Sequence, residues 1–260
     1  MRVLLLSPGE RLAQLQRLPI AGQMASALGA QLQVACPASE AALWKLLPAV
    51  EKVLPFGFDD TVNLADWTNL LGSVREPEFE VCLNFASGWA INLLISFSRI
   101  PRRVARGGFS CTDPIAAGAN DSDFLMPFGL KSDEKKFRLS LPAAALERAK
   151  AQQPAGSGPL LLLAPSGDES SDWSSNQWQE LQQTVHQKLS DSRTEWLRPG
   201  NPLQQAAQVA CADGVVCSSG VASALGHYSG ISVIELNALS EGKGIEQLPL
   251  QRVLQALGLS

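Results

Sequence analysis

An α/β chain of two halves, each built on a parallel sheet, is what this sequence predicts. Short β-branched or aliphatic runs alternate with longer amphipathic segments from one end to the other. That alternation implies parallel strands covered by helices on both faces. The stretch Gln152-Gln-Pro-Ala-Gly-Ser-Gly-Pro159 has no apolar periodicity and consists of turn formers, as an interdomain linker does. The 260 residues, 45% hydrophobic and 18% charged, are a globular composition, and at roughly 150 residues per domain they suffice for one to two cores. A disordered or collagen-like chain is excluded.

Taken in order, strands are expected at residues 2–6, 31–35, 52–55, 80–84 and 102–105 before the linker. Four more are expected after it, at 159–164, 194–197, 214–217 and 232–236. Helical patterns fill the gaps, for instance 11–28, 39–47, 176–189, 201–212 and 250–257. The expected domains are residues 1–151 and 160–260, with 152–159 between them. No fixed-period repeat or low-complexity tract interrupts this order.

Composition narrows the function. With 21 basic and 25 acidic side chains the chain carries a net −4, which argues against a nucleic-acid partner. Residues 1–155 hold 16 basic and 15 acidic groups, whereas residues 156–260 hold 5 and 10, so the two halves face different electrostatic tasks. Val3-Leu-Leu-Leu6 is too short for the ~7–15 apolar residues of a secretory signal. No run reaches the ~18 of a membrane span; Trp89 to Phe97 comes nearest and is broken by Asn92 and Ser96. Five cysteines, odd in number and without C-x-x-C spacing, read as reduced thiols of a cytoplasmic protein with no zinc site.

Ligands of open α/β sheets bind beyond the carboxyl ends of strands, and between two such domains the crevice is the default site. The turn Ser7-Pro8-Gly9-Glu10 follows the first strand. Two readings of Glu10 stand: a base that accepts a proton from a sugar hydroxyl, or an acid favoured by the dipole of the helix behind it. Asn84 and Ser87 follow the fourth strand, where they either hydrogen-bond an acceptor or cap the next helix. Four arginines from Arg99 to Arg106 could meet an anion or a headgroup layer, or form a solvated edge. The loop Pro165-Ser-Gly-Asp-Glu-Ser-Ser-Asp172-Trp173 carries three acids and no base, a poor setting for a diphosphate. Ser218-Ser219-Gly220, ahead of a helix, forms an anion cradle in principle and ordinary capping chemistry otherwise. Arg198, at the end of the 194–197 strand, is the base of this half placed to reach a phosphate. Asp121-Ser-Asp123 matches a metal-holding D-x-D but lies in a Gly/Asn/Ser loop with no strand before it. His186 reads as a surface residue and His227 as part of a helix cap.

In order and spacing, several segments resemble glycosyltransferase family 9, the ADP-heptose:lipopolysaccharide heptosyltransferases. Arg2-Val-Leu-Leu-Leu-Ser-Pro-Gly-Glu10 with Leu18-Pro19 resembles the family's opening strand, S-x-G-D turn and L-P. Glu78-Phe-Glu-Val-Cys-Leu-Asn-Phe85 with Arg102-Arg103-Val-Ala resembles its "YDVVIDLQ … RRIG" segment. Leu160-Leu-Leu-Leu-Ala-Pro-Ser-Gly167 with Trp173 and Gln177-Trp178 resembles "P-G-A … K-R-W". Ala212-Asp-Gly-Val-Val-Cys-Ser-Ser-Gly220 resembles "A-D-x-V-V-x-x-D-T-G-x-x-H".

The resemblance covers nearly the whole chain and implies the GT-B fold, two Rossmann-like domains facing across a crevice. It implies metal-independent, inverting transfer of a sugar from a nucleoside-diphosphate donor, an ADP-sugar, to a lipopolysaccharide or glycan acceptor. No cofactor beyond that co-substrate is implied. The resemblance puts Ser166, Gly167, Arg198, Ser218, Ser219 and Gly220 on the donor side. Ser7, Asn84 and Ser87 fall on the acceptor side, with Glu10 in place of the activating aspartate. A cytoplasmic protein meeting the inner-membrane face follows. The departures bear on the donor. The family's lysine falls at about Ser171 and its neighbouring arginine at Asp172, and D-T-G-x-x-H reads Ser218 to Ser223, without the Asp and the His. A family member with degenerate donor-site motifs, impaired or without activity, is therefore expected, while Glu10 and Gly220 keep catalysis open. The alternative is a non-catalytic binding or scaffold protein on the same fold.

Overall fold

The computed structural model describes residues 1–58, 62–75, 78–131, 133–168 and 172–259. These fold into two compact units, Met1–Ser140 and Leu141–Ser260.

The first unit is a six-stranded parallel sheet. Its strands are β1 (Arg2–Leu6), β2 (Gln31–Cys36), β3 (Val50–Pro55), β4 (Val81–Asn84), β5 (Arg102–Ala105) and β6 (Asp113–Pro114). They lie in the order β3-β2-β1-β4-β5-β6, the Rossmann order, which reverses direction at β1. Five strands were expected. The sixth has two residues, one a proline, and is defined only by its pairing with Val104 and Ala105, so no periodicity could announce it. Helices α1 (Arg11–Leu28), α2 (Ala41–Trp44), α3 (Leu64–Arg75) and α4 (Trp89–Ser98) cover the sheet. The expected helix over 39–47 is a 3-10 turn, Ala38–Glu40, followed by the single turn of α2. Bonds from Leu46 N to Leu43 O and from Leu47 N to Trp44 O tighten its end.

At the centre of the sheet both faces are dry, since Val3, Leu4, Leu5 and Leu6 of β1 are all fully buried, as a doubly covered parallel strand requires. On one face Leu4, Leu6, Leu54 and Cys82 pack against Leu70 and Val74 of α3 and Ile91, Leu94 and Ile95 of α4.

The second unit has four parallel strands, β7 (Leu160–Ala164), β8 (Arg193–Trp196), β9 (Gly214–Cys217) and β10 (Ser232–Glu235), in the order β10-β9-β7-β8. Its helices are α5 (Ala143–Ala151), α6 (Ser175–Lys188), α7 (Pro202–Ala210), α8 (Gly220–Ser229), α9 (Leu236–Leu239) and α10 (Leu250–Ala256). Capping boxes start α6 at Ser174 and Gln177 and α7 at Asn201 and Gln204, satisfying amides that the first turn of a helix leaves open. The core gathers Leu163, Val216, Leu181, Val185, Val253 and Leu254 around Trp173 and Trp178.

The turn-rich stretch 152–159 lies inside this second unit, where a linker was expected. Helix α5 packs on α7. Arg193 donates from Nε to Gly158 O at 2.8 Å, and Gln153 Nε2 donates to Cys211 O at 2.8 Å. A Cβ on Gly158 would stand 1.9 Å from Asp191 O. Gly158 is there because the backbone must approach that closely, which composition alone reads as looseness.

Cys36, Cys82 and Cys217 are buried at strand positions, and burial pushes each thiol up to about 12. Thiolate is the reactive form. Iodoacetamide near neutral pH is therefore expected to spare these three in the folded protein and to reach them after unfolding, as read by peptide mass spectrometry. Native labelling of any of them would contradict the packing. Among the described residues no helix is long and apolar enough to cross a membrane.

Candidate functional site

Each sheet has one place where the strand order turns back, and each brings polar groups to the carboxyl ends of two adjacent strands. In the first unit these strands are β1 and β4, in register at Leu6 and Asn84.

The turn after β1 is held from beneath by α1. Gln14 Nε2 donates to the carbonyls of Ser7, Pro8 and Gly9 at 2.9, 3.1 and 2.8 Å. Its Oε1 accepts from Ser7 Oγ at 2.6 Å and from Trp44 Nε1 at 2.9 Å. Arg17 NH1 donates to Ser7 Oγ at 2.9 Å, and Arg17 Nε meets Asp121 Oδ2 at 2.8 Å. Arg106 closes on the other oxygen of Asp121. The two guanidiniums lie over the rings of Phe85 and Phe124, 4.7 and 5.1 Å from their centroids, in cation–π range. Burial alone would push the Asp121 carboxyl up. The hydrogen bonds from Arg106 and Arg17 overcome that and hold it below its usual range.

This scaffold presents Glu10. It is exposed, stands at the N-cap of α1, and its carboxylate caps no backbone amide. Ser7 is fully buried with its hydroxyl engaged on both sides, so it shapes the turn. Asn84 is also buried, and its Oδ1 accepts from Ala86 N at 3.0 Å in a local turn. Ser87 is exposed just ahead of α4, whose N-cap is Gly88. Asp121 and Asp123 diverge: the first is the counter-ion of two arginines, and the second accepts from Asn120 N at 2.9 Å.

In the second unit the order reverses between β7 and β9, in register at Ala164 and Cys217. Ser166 and Ser218 meet there, Ser166 N donating to Ser218 Oγ at 2.8 Å. Both converge on the buried carboxylate of Asp172. Its Oδ2 accepts from Ser166 N at 2.6 Å, Ser166 Oγ at 3.0 Å and Ser218 Oγ at 2.6 Å. Its Oδ1 accepts from Trp173 N at 2.7 Å and Trp178 Nε1 at 3.2 Å. Ser219 and Gly220 continue into α8, whose N-cap is Ser219. Gly167 sits at φ 82°, a backbone state glycine adopts without strain. A cleft of about 350 Å³ opens beside Asp172, walled by Pro165, Gly167, Trp178 and Trp196.

Arg198 stands apart from this convergence. Strand β8 lies on the opposite side of β7 from β9. The Arg198 guanidinium is engaged by Gln152 Oε1 at 2.7 Å, by Gln152 O at 2.8 Å and by Glu195. His227 pairs with Glu235 at 3.0 Å, and Ser223 donates to the same oxygen at 2.5 Å. Those two bonds, that of Ser223 foremost, hold the Glu235 carboxyl below its usual range. His186 bonds Thr194 at the exposed side of α6. The position expected for the family's lysine, Ser171, lies outside the described residues.

Sequence reasoning missed Gln14, Arg17 and Arg106 as the frame of the first turn. The available signal was Gln14 and Arg17 interleaved with Leu15, Leu18 and Ile20, the apolar residues of the helix's covered face, since buried polar groups need partners. It also missed that Asp172 is buried.

No protein-family profile matches the chain, and no curated protein does. Solved structures do. A glycosyl transferase family 9 protein from Veillonella parvula aligns over 99% of this chain and 96% of its own, with a TM-score of 0.78 at 9% identity. The E. coli heptosyltransferase WaaC with ADP-2-deoxy-2-fluoro heptose aligns over 99% of both chains, with a TM-score of 0.71 at 14% identity. The E. coli ADP-heptose lps heptosyltransferase II aligns over 99% and 98%, with a TM-score of 0.69 at 16% identity. At such identities the likeness establishes the fold. It is the expected one, α/β with two parallel-sheet, Rossmann-like units of the GT-B kind.

Proposed function

We propose that this chain is a heptosyltransferase-like protein of glycosyltransferase family 9. It would take a nucleoside-diphosphate sugar, an ADP-sugar by its resemblance, in the second unit and a glycan or lipopolysaccharide acceptor at the first. The observation that carries the reading is the meeting of Ser166 and Ser218 at the β7/β9 switch point, in a fold shared end to end with heptosyltransferases. Function must be argued from such a site, because the fold alone hosts many.

The diphosphate would lie on the Ser166–Gly167 turn and the Ser218–Gly220 start of α8, where amides and hydroxyls meet an anion. Glu10 would take the proton of the acceptor hydroxyl as its oxygen bonds to the anomeric carbon. The bond from that carbon to the phosphate oxygen breaks, the nucleoside diphosphate leaves, and the configuration inverts. The reading assigns no metal to the step.

A second reading, a non-catalytic binding protein on the same fold, is favoured by the acidity of the second half and by the missing cation at the donor loop. Charge-assisted hydrogen bonds contribute about 1.5–3 kcal/mol each, so an absent lysine weakens donor binding considerably. Calorimetry and thermal melts with ADP-, GDP- and UDP-sugars separate the two. A donor at 100 times its Kd is expected to stabilise the protein by about 2.7 kcal/mol. A flat response to all three favours the second reading.

A further inference from the structure

The donors that meet at the β7/β9 switch point already hold an anion, and it belongs to the chain. We propose that Asp172 is a built-in ligand of this cradle, an internal carboxylate that a nucleoside-diphosphate donor must displace before it binds. The inference rests on the reading of the switch point as the donor site and deepens it: the same site carries its own competitor.

Three observations lead there. First, the fold brings together donors from the ends of two strands, Ser218 lying 46 positions from Asp172. Ser166 follows β7, Ser218 follows β9, and Trp173 and Trp178 flank and enter α6. A carboxylate offers about four lone-pair sites, and five donor contacts within 3.2 Å saturate them. Second, Asp172 is only 5% exposed, and among the described residues no cation pairs with it. A buried carboxylate held by amide, hydroxyl and indole donors alone uses the chemistry of an oxyanion site, since neutral donors converging on one point select for negative charge. Third, the cradle is one of alternatives. Ser166 N and the two serine hydroxyls that bind Asp172 Oδ2 are the groups a phosphate oxygen would need, and they cannot serve both at once. Ser166 itself is exposed, so a ligand can reach its amide and hydroxyl from solvent, and a cleft of about 350 Å³ opens beside Asp172.

The consequence is a penalty on binding. The apparent Kd rises by the inverse of the fraction of molecules whose cradle is free. Asp172→Asn keeps the side chain's shape, removes its charge and presents an amide NH2 to the donors, so the cradle empties more readily. ADP and inorganic pyrophosphate are therefore expected to bind the Asn variant at least 10-fold more tightly than the wild type by calorimetry, a ratio that corresponds to about 1.4 kcal/mol. Adding Ser218→Ala to that variant is expected to abolish the gain, because a donor of the cradle is lost.

The wild type gives a readout that does not depend on the variant folding. Trp178 Nε1 bonds Asp172 Oδ1 at 3.2 Å, so pyrophosphate that displaces the carboxylate shifts the Trp178 indole resonance in a ¹⁵N spectrum. A tenfold gain, or that shift where the variant does not fold, supports the proposal. Equal binding by wild type and a folded variant overturns it and leaves the donor site standing. No binding by either folded protein overturns both. An indole resonance indifferent to pyrophosphate at every concentration, with the variant unfolded, likewise overturns it.

Discussion

Asp121→Ala is expected to destabilise the first unit by roughly 1–3 kcal/mol, the cost of leaving a buried donor unsatisfied, because Arg17 is buried while Asp121 is only partly so. Most of that comes from Arg17, which is 7% exposed and would keep its charge with no carboxylate beside it. Arg106 is more open to water and adds little. The loss spreads beyond the pair, since Arg17 also donates to Ser7 Oγ, and Ser7 and Gln14 together fix the turn after β1. Urea unfolding of wild type and variant measures the difference; a loss below about 1 kcal/mol would mean that solvent screens the pair as it does at a surface. The pH dependence has a definite sign. The Asp121 carboxyl lies lower in the folded protein than its ordinary 3.8. Its contribution is therefore complete above that value and fades as the pH falls through the lower folded one. The wild type should lose this component of its stability in acid, and the variant, having none, should show a flatter profile there.

The strands and the donor turns of this fold were legible for the reason that Asp121 was not. Strands β1 and β9 stand where their aliphatic runs put them, because a strand buried on both faces has no choice of composition. The turns after β7 and β9 follow directly from those strands. What brings residues together across the sheet leaves no periodic trace. Asp121 is 104 positions from Arg17, in a loop whose D-x-D spacing suggests a metal. Asp172 looked like one more acid in a loop unfriendly to phosphate, and its burial depends on Trp173, Trp178 and Ser218 closing around it. Arg198 was placed correctly at the end of a strand, but only the strand order shows that β7 separates it from β9. Local rules fix where a strand ends; the order in which strands lie decides which ends are neighbours.

Glu10→Gln carries the largest expected effect on activity. A positioned general base contributes typically 10²- to 10⁴-fold, so sugar transfer by the variant should fall by about that factor while donor binding in the second unit is unchanged. The substitution is close to isosteric, and the exposed Glu10 side chain caps no amide of α1. It therefore removes the proton acceptor while leaving the frame of Gln14, Arg17 and Asp121 in place. Favourable placement at the positive end of a helix is worth about 0.3–1 kcal/mol. If that is all Glu10 does, the variant melts slightly lower and transfers sugar at the wild-type rate. Kinetics and a melting curve on the same sample therefore distinguish a base from a helix-end charge. The frame beneath strengthens the case for a base: a network of buried Gln14 and Arg17 with part-buried Asp121 fixes a turn whose protruding side chain, that of Glu10, helps to hold none of it.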